Sequence, residues 1–213
     1  EEERQANISL GMKKAEYAPQ YTCLYHTEVE YIKDIRRMHA LQDVEIITDI
    51  PEVVEAVPEI SLYTDEYTLT LRYSLAGLLE KTLSKRAYLK SGAYLVIEPT
   101  EAMTVIDVNS GKSIKGRNAE EQFLKINIEA AREIARQLRL RNISGIVMID
   151  FINMKEEEHN RELMKVLSES VRIDPVRTTV VDMTKLGLVE LTRQKGKRAL
   201  HEVFSDKKTV NIK

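Results

Sequence analysis

The chain has a single cysteine, Cys23, in 213 residues. One thiol excludes an internal disulfide framework and any Cys-x-x-Cys zinc site, and it fits a reducing cytoplasm in which it serves as a small buried hydrophobe. Long apolar runs are missing too. No uncharged stretch approaches the ~18 residues that a membrane-spanning helix needs, and the acidic opening Glu1-Glu2-Glu3 is no secretory signal. A soluble, cytoplasmic protein is therefore expected. Internal repeats and low-complexity tracts are absent, and neither sign of charge dominates: 32 Lys and Arg stand against 34 Asp and Glu, for a net of −2. Indiscriminate polyanion binding is excluded by that balance, so any nucleic-acid surface must come from local clusters of Lys and Arg. The four histidines, His26, His39, His159 and His201, are scattered without metal-ligand spacing. What the chain does have is 43% hydrophobic and 31% charged residues. That is enough to bury one good core, or one core with a smaller companion.

The informative stretch runs from Tyr94 to Arg117. Two apolar runs, Tyr94–Ile97 and Met103–Val108, flank the turn Glu98-Pro99-Thr100-Glu101, which reads as a β-hairpin. Along the second strand, alternation sends Val105, Asp107 and Asn109 to one face and Thr104, Ile106 and Val108 to the other. Asp107 thus stands where so apolar a strand is expected to carry a core residue. A buried carboxylate is costly unless something positive meets it. The segment that follows, Ser110 to Arg117, carries three cations, Lys112, Lys115 and Arg117.

Residues 1–18 read as the tail of a helix cut off from something upstream, which suggests a fragment. Thr27 with Glu30 opens a helix to about His39, Val44–Thr48 is a strand, and Asp49-Ile50-Pro51 starts a short helix over Glu52–Val57. Ile60–Tyr63 reads as a strand, Thr68–Leu71 is ambiguous, and Ser74–Leu83 is a helix. Near Lys85 the pattern turns to strands, first Ala87–Lys90 and then the hairpin. Asn118 with Glu121 marks the start of an amphipathic helix running through Phe123, Ile126, Ala130, Ile134 and Leu138 to about Arg141. Its outer face stacks Arg132, Arg136 and Arg139, either as a solvated stripe partnered by Glu129 and Glu133 or as a flank that faces phosphate. Ile146–Ile152 then reads as a strand apolar on both faces, buried in mid-sheet and interrupted by Asp150. Lys155–Ser170 is a helix, Thr178–Val181 a strand, Leu186–Gln194 a last helix, and the tail beyond Gly196 is loosely held.

A strand, a crossover helix and a second strand put Asp107 and Asp150 on neighbouring or near-neighbouring strands, where they can share one rim. Two descriptions fit such a pair. The carboxylates are helix caps or salt-bridge partners, or they form a divalent-metal site. Two aspartates and an Asn, without histidine or thiol, suit Mg²⁺, which commonly takes one or two carboxylates and keeps several waters. Such an ion offsets charge on a phosphodiester oxygen and activates water, with Asn109 fixing one aspartate or donating to the phosphate.

Four separated blocks, Val105–Gly111, Asn127–Arg141, Gly145–Ile152 and Leu186–Gln194, resemble the catalytic region of the ribonuclease E/G family, strongly over 89–195. The resemblance implies an α/β fold with a mixed β-sheet and helices packed on it. Residues 85–196 would be a deoxyribonuclease-I-like catalytic subdomain, preceded at 21–84 by a small α/β, ribonuclease-H-like subdomain. Residues 1–20 would be the helical remnant of a 5′-sensor segment and 197–213 a C-terminal tail. It implies Mg²⁺-dependent hydrolysis of single-stranded RNA to leave a 5′-phosphate, in RNA decay and ribosomal RNA maturation, with Mn²⁺ a plausible substitute. Asp107 and Asp150 are then the metal ligands and Asn109 their catalytic neighbour. Lys112, Lys115, Arg117, Lys185 and Arg193 would hold the RNA backbone. An OB-fold RNA-binding domain, the 5′-monophosphate pocket and the Cys-x-x-Cys zinc link that joins two protomers in the family are not found in this sequence. Weak, salt-dependent RNA binding and poor turnover alone are therefore expected, and dimerisation through the catalytic subdomain stays open. The competing reading is an RNA-binding or assembly module that keeps the fold and does no chemistry.

Overall fold

The computed structural model describes residues 9, 12–13, 17–19, 30–39, 45–111 and 118–205. The expected helix over 1–18 falls mostly outside them, as do Lys112, Lys115 and Arg117. Two compact units divide between Leu75 and Ala76, about ten residues before the change of pattern at Lys85.

The first unit contains helix α1 (Glu30–His39), strand β1 (Ile47–Thr48), helix α2 (Pro51–Ala56), strand β2 (Ser61–Leu62) and helix α3 (Leu69–Arg72). Proline at the start of α2 supplies a preset φ and lacks only an N–H that the first turn would leave unpaired. Strands β1 and β2 pair in parallel, Ile47 with Ser61 and Thr48 with Leu62. The small core joins Ile32, Val53, Val57 and Ile60.

The second unit contains helix α4 (Leu75–Leu83, whose first residue precedes the division), strands β3 (Arg86–Tyr88), β4 (Tyr94–Pro99) and β5 (Met103–Asn109), helix α5 (Ala119–Leu140), strand β6 (Gly145–Asp150), helix α6 (Glu157–Arg172), strands β7 (Thr178–Met183) and β8 (Leu188–Arg193), and helix α7 (Leu200–Ser205). Its sheet is mixed and six-stranded, in the order β3-β4-β5-β6-β8-β7. The hairpin β4–β5 is antiparallel, as its turn chemistry requires. β5 and β6 are parallel neighbours joined through α5, as a crossover connection demands.

A single core forms on one side of this sheet. Leu95, Ile97, Ile106, Val108, Val147, Ile149, Val189 and Leu191 point into it and meet Ile126, Ala130, Ala131, Ile134, Ala135 and Leu138 of α5 and Leu163, Leu167 and Val171 of α6. The three alanines lie on the buried stripe of α5 among larger apolar residues, and small side chains there permit close approach. Truncating the fully buried Ile134 to alanine is expected to cost about 2–5 kcal/mol.

Three expectations need correction. Leu186–Gln194 is no helix but contains β8, because Val189, Leu191 and Arg193 alternate with Leu188, Glu190 and Thr192 at the period of a strand, and β6 supplies its ladder partners. β6 is central but covered on one face only: Val147 and Ile149 are fully buried, while Ile146 is 48% exposed. Finally, the Asn118 side chain makes no capping hydrogen bond at the start of α5; its backbone carbonyl accepts from Gln122 N instead. Among the described residues no helix is long and apolar enough to cross a membrane.

Candidate active site

The second face of the sheet carries the candidate site. On β5 the buried positions are Thr104, Ile106 and Val108, so Asp107 and Asn109 fall on the opposite, open face with Val105. Asp107 therefore does not occupy a core position, as the apolarity of its strand implied; it is half-buried on the uncovered side. β6 repeats the arrangement, with Val147 and Ile149 inward and Asp150 exposed at its C-terminal end.

Strand register then brings the two carboxylates together. Asp107 and Asp150 are direct partners in the parallel β5–β6 ladder. Parallel partners share a face, and neighbouring strands lie about 4.8 Å apart, so the two carboxylates stand side by side at one rim. Asn109 donates from Nδ2 to Asp107 Oδ2 at 2.6 Å, which orients that carboxylate. No ion pair engages either aspartate among the described residues, and both carboxylates lie on the uncovered face.

That donor set fits a hard cation. Among the described residues no group of three or more His, Cys, Asp or Glu is placed to hold a metal ion, which argues against a closed all-protein cage. Mg²⁺ asks for less: one or two carboxylates, with waters and substrate oxygens completing an octahedron. Asp107 and Asp150 could hold it on the open face without displacing any apolar side chain.

The segments on either side of the rim are braced by residues that the sequence reading passed over. Asn127 lies fully buried on α5. Its Nδ2 donates to Ile152 O at 2.8 Å and its Oδ1 accepts from Ile152 N at 3.0 Å, clamping the chain two residues beyond Asp150. A polar residue inside the apolar stripe of α5 was the available signal. Glu120 Oε1 accepts from Lys155 N at 2.7 Å and Glu156 N at 3.1 Å. The hydrogen bond from Glu156 N is the largest reason its carboxyl lies below the ordinary range. Beyond Asn109, Gly111 adopts φ +70° and passes so close to the β3–β4 turn that an added Cβ would lie 2.5 Å from Gly92 O. Only glycine permits that approach.

The five basic residues expected to hold RNA fare differently. Lys112, Lys115 and Arg117 lie outside the described residues. Lys185 is exposed in the β7–β8 turn, at the same rim as the aspartates because Leu188 just after it pairs with Asp150. Arg193 must be withdrawn as an RNA contact. Its parity on β8 sends it into the covered side, where it is 4% exposed. There Nε and Nη2 donate to Asp174 at 2.8 and 3.3 Å, and Nη1 donates to Asn142 Oδ1 and Ile143 O at 2.9 and 3.0 Å. Burial pushes the Asp174 carboxyl up, but the hydrogen bonds from Arg193 and Val176 N outweigh it and hold the group below its ordinary value.

Comparison with known proteins finds similar sequences over most of the chain. The model of the ribonuclease E/G family matches residues 5–196. Ribonuclease G of Haemophilus influenzae is 42% identical over 156 residues, which cover 71% of this chain and 32% of that protein. Ribonuclease E of Nostoc sp. is 43% identical over 134 residues, 63% of this chain and 20% of that protein. Ribonuclease E of Escherichia coli is 36% identical over 206 residues, 90% of this chain and 19% of that protein. The chain spans about a third of the length of the ribonuclease G relatives it matches, 32% of the Haemophilus influenzae protein.

Proposed function

The chain belongs to the ribonuclease E/G family, and on that premise we propose that it is the hydrolytic part of a Mg²⁺-dependent endoribonuclease that cuts single-stranded RNA. The observation that carries this reading is the register pairing of Asp107 with Asp150 on an open sheet face, with Asn109 bonded to Asp107. A divalent cation bound there supplies charge neutralisation at a nonbridging phosphate oxygen and raises the acidity of water.

The chain's own groups do the rest. Asp107 and Asp150 present one carboxylate each from rigid neighbouring strands, which fixes their spacing. Asn109 holds Asp107 with one amide N–H and has a second to offer the scissile phosphate. Lys185 contributes positive potential at the rim. Water attacks phosphorus as the P–O3′ bond breaks; the departing 3′ oxygen takes up a proton, and the new P–O bond leaves a 5′-phosphate. RNA decay and ribosomal RNA maturation are the processes that such an activity serves.

The experiment is cleavage of an unstructured oligoribonucleotide by wild type, Asp107→Asn and Asp150→Asn, with binding measured in metal-free buffer. Each change is expected to abolish Mg²⁺-dependent cleavage while binding persists or strengthens, because a negative charge has gone. Retained binding with no cleavage by wild type at any Mg²⁺ or Mn²⁺ concentration would favour a non-catalytic RNA-binding module. Equal, metal-independent activity in all three proteins points to a contaminating nuclease and sinks the proposal.

A further inference from the structure

Away from the aspartates, a cleft of about 690 Å³ runs between α4, the edge strand β3 and the outer flank of α5. Its lining includes Lys81, Arg86, Lys90, Arg132, Arg136 and Arg139 against Glu129 and Glu133, six cations to two carboxylates. Both carboxylates are already engaged. Glu129 accepts from Lys90 N at 2.7 Å and Ser91 N at 3.3 Å, and Glu133 accepts from Arg136 Nη1 at 2.9 Å and Gln137 Nε2 at 2.6 Å. No carboxylate among the described residues pairs with Lys81, Lys90, Arg132 or Arg139. Arg139 Nη1 has no hydrogen-bond partner among the described residues.

An aromatic element accompanies the charge. Tyr88, on the edge strand that walls the cleft, is 66% exposed; as the register partner of Tyr94 it turns to the open face of the sheet, where its ring lies 6.0 Å from that of Tyr94. The Arg86 guanidinium sits 5.2 Å from the centre of the Tyr94 ring. Tyr94 is the register partner of Asn109, so this aromatic pair leads from the cleft to the catalytic rim. On the other side, the turn bearing Lys90 abuts Gly111 through Gly92.

We propose that this cleft is a second RNA groove, which carries the single strand away from the Asp107–Asp150 rim. It rests on the ribonuclease reading for its RNA, though not on the metal chemistry. Cationic walls that track a backbone, with an exposed ring for a base to stack on, are the features of sequence-tolerant single-strand binding. A duplex would offer no unstacked base to Tyr88. The seven rises of helix from Arg132 to Arg139 span about 10 Å, longer than one phosphate can bridge, so the unpaired cations serve a chain of phosphates.

The test is fluorescence anisotropy in metal-free buffer with a labelled, unstructured 12-nucleotide RNA across a salt series. Compared with wild type, Arg132→Gln/Arg139→Gln is expected to reduce the slope of log K against log salt by about 1.4, at about 0.7 per lost phosphate contact. Tyr88→Ala is expected to weaken binding about fivefold or more. Because Arg139 is partly buried, Lys90→Gln/Arg132→Gln, both exposed, repeats the measurement without risk to the fold. Slopes and affinities unchanged in both double variants overturn the groove. So does competition by millimolar inorganic phosphate that matches competition by unlabelled 12-mer, because the cleft then holds a single phosphate. Cleavage that survives Asp107→Asn would sink the catalytic proposal and leave these binding results standing.

Discussion

Replacing Arg193 with methionine separates a structural guanidinium from an RNA-binding one. The change removes four hydrogen bonds, two to Asp174 at 2.8 and 3.3 Å and one each to Asn142 and Ile143 at 2.9 and 3.0 Å. The Arg193 and Asp174 side chains are 3% and 2% exposed, so water cannot replace the lost partner. Asp174 keeps only the Val176 N–H at 2.9 Å and the long contact from the Thr178 hydroxyl at 3.4 Å. Breaking a buried ion pair from one side costs about 3–5 kcal/mol. For a chain of this size each kcal/mol is worth about 2–4 °C, so the melting temperature should fall by roughly 6–20 °C. Removing both charges with Arg193→Met/Asp174→Leu should recover most of that loss, since the penalty comes from the stranded carboxylate. Circular-dichroism melts and urea midpoints at constant m-value measure the effect, and RNA affinity per folded molecule should stay at the wild-type level. A melting temperature within about one degree of wild type, with weakened RNA binding, would refute the structural assignment. A double variant no better than the single would refute the origin assigned to the cost.

The same pair predicts an acid response. Asp174 is held below its ordinary value in the fold, so its stabilisation is complete above the unfolded carboxylate value of about 3.9 and is lost as pH falls from there through the folded value; the stability gap between wild type and Asp174→Asn should narrow in an acid titration from about pH 5. Asn127→Ala strands the N–H and carbonyl of Ile152, which should cost about 1–3 kcal/mol and slow cleavage; a stable variant with unchanged turnover would show that the clamp does not position Asp150. Gly111→Ala adds a Cβ 2.5 Å from Gly92 O at φ +70°, a strain of about 1–2 kcal/mol from the backbone alone. Cleavage should fall more than the melting temperature does, and full activity would mean that the turn yields without moving Asn109.

Local pattern carried the site further than it carried the sheet around it. The alternation in Thr104–Asn109 and the crossover rule were sufficient to set Asp107 beside Asp150, because parallel strands joined by one helix leave little freedom. The length and buried stripe of α5 followed from spacing in the same way. Coverage did not. Apolarity at Val105, Ile146 and Val181 reads the same whether a second layer lies over a face or not, yet these residues are 38%, 48% and 56% exposed. β8 was missed because Leu188–Arg193 satisfies either period over so short a run, and its ladder with β6 is a non-local fact. With the wrong period, Arg193 looked like one more surface cation. As a strand residue it shares parity with Val189 and Leu191, and the inward direction follows at once.

The one-sided sheet has a wider consequence. Even-numbered residues of β5 face the core and odd-numbered ones the open side, so a single ribbon carries two interleaved messages, and either can be rewritten alone. Exchanging the carboxylates for amides edits the outward text and leaves the inward one intact, so a variant with an altered open face and an unaltered core is within easy reach. Slipping β5 by one position would do the reverse and garble both messages together.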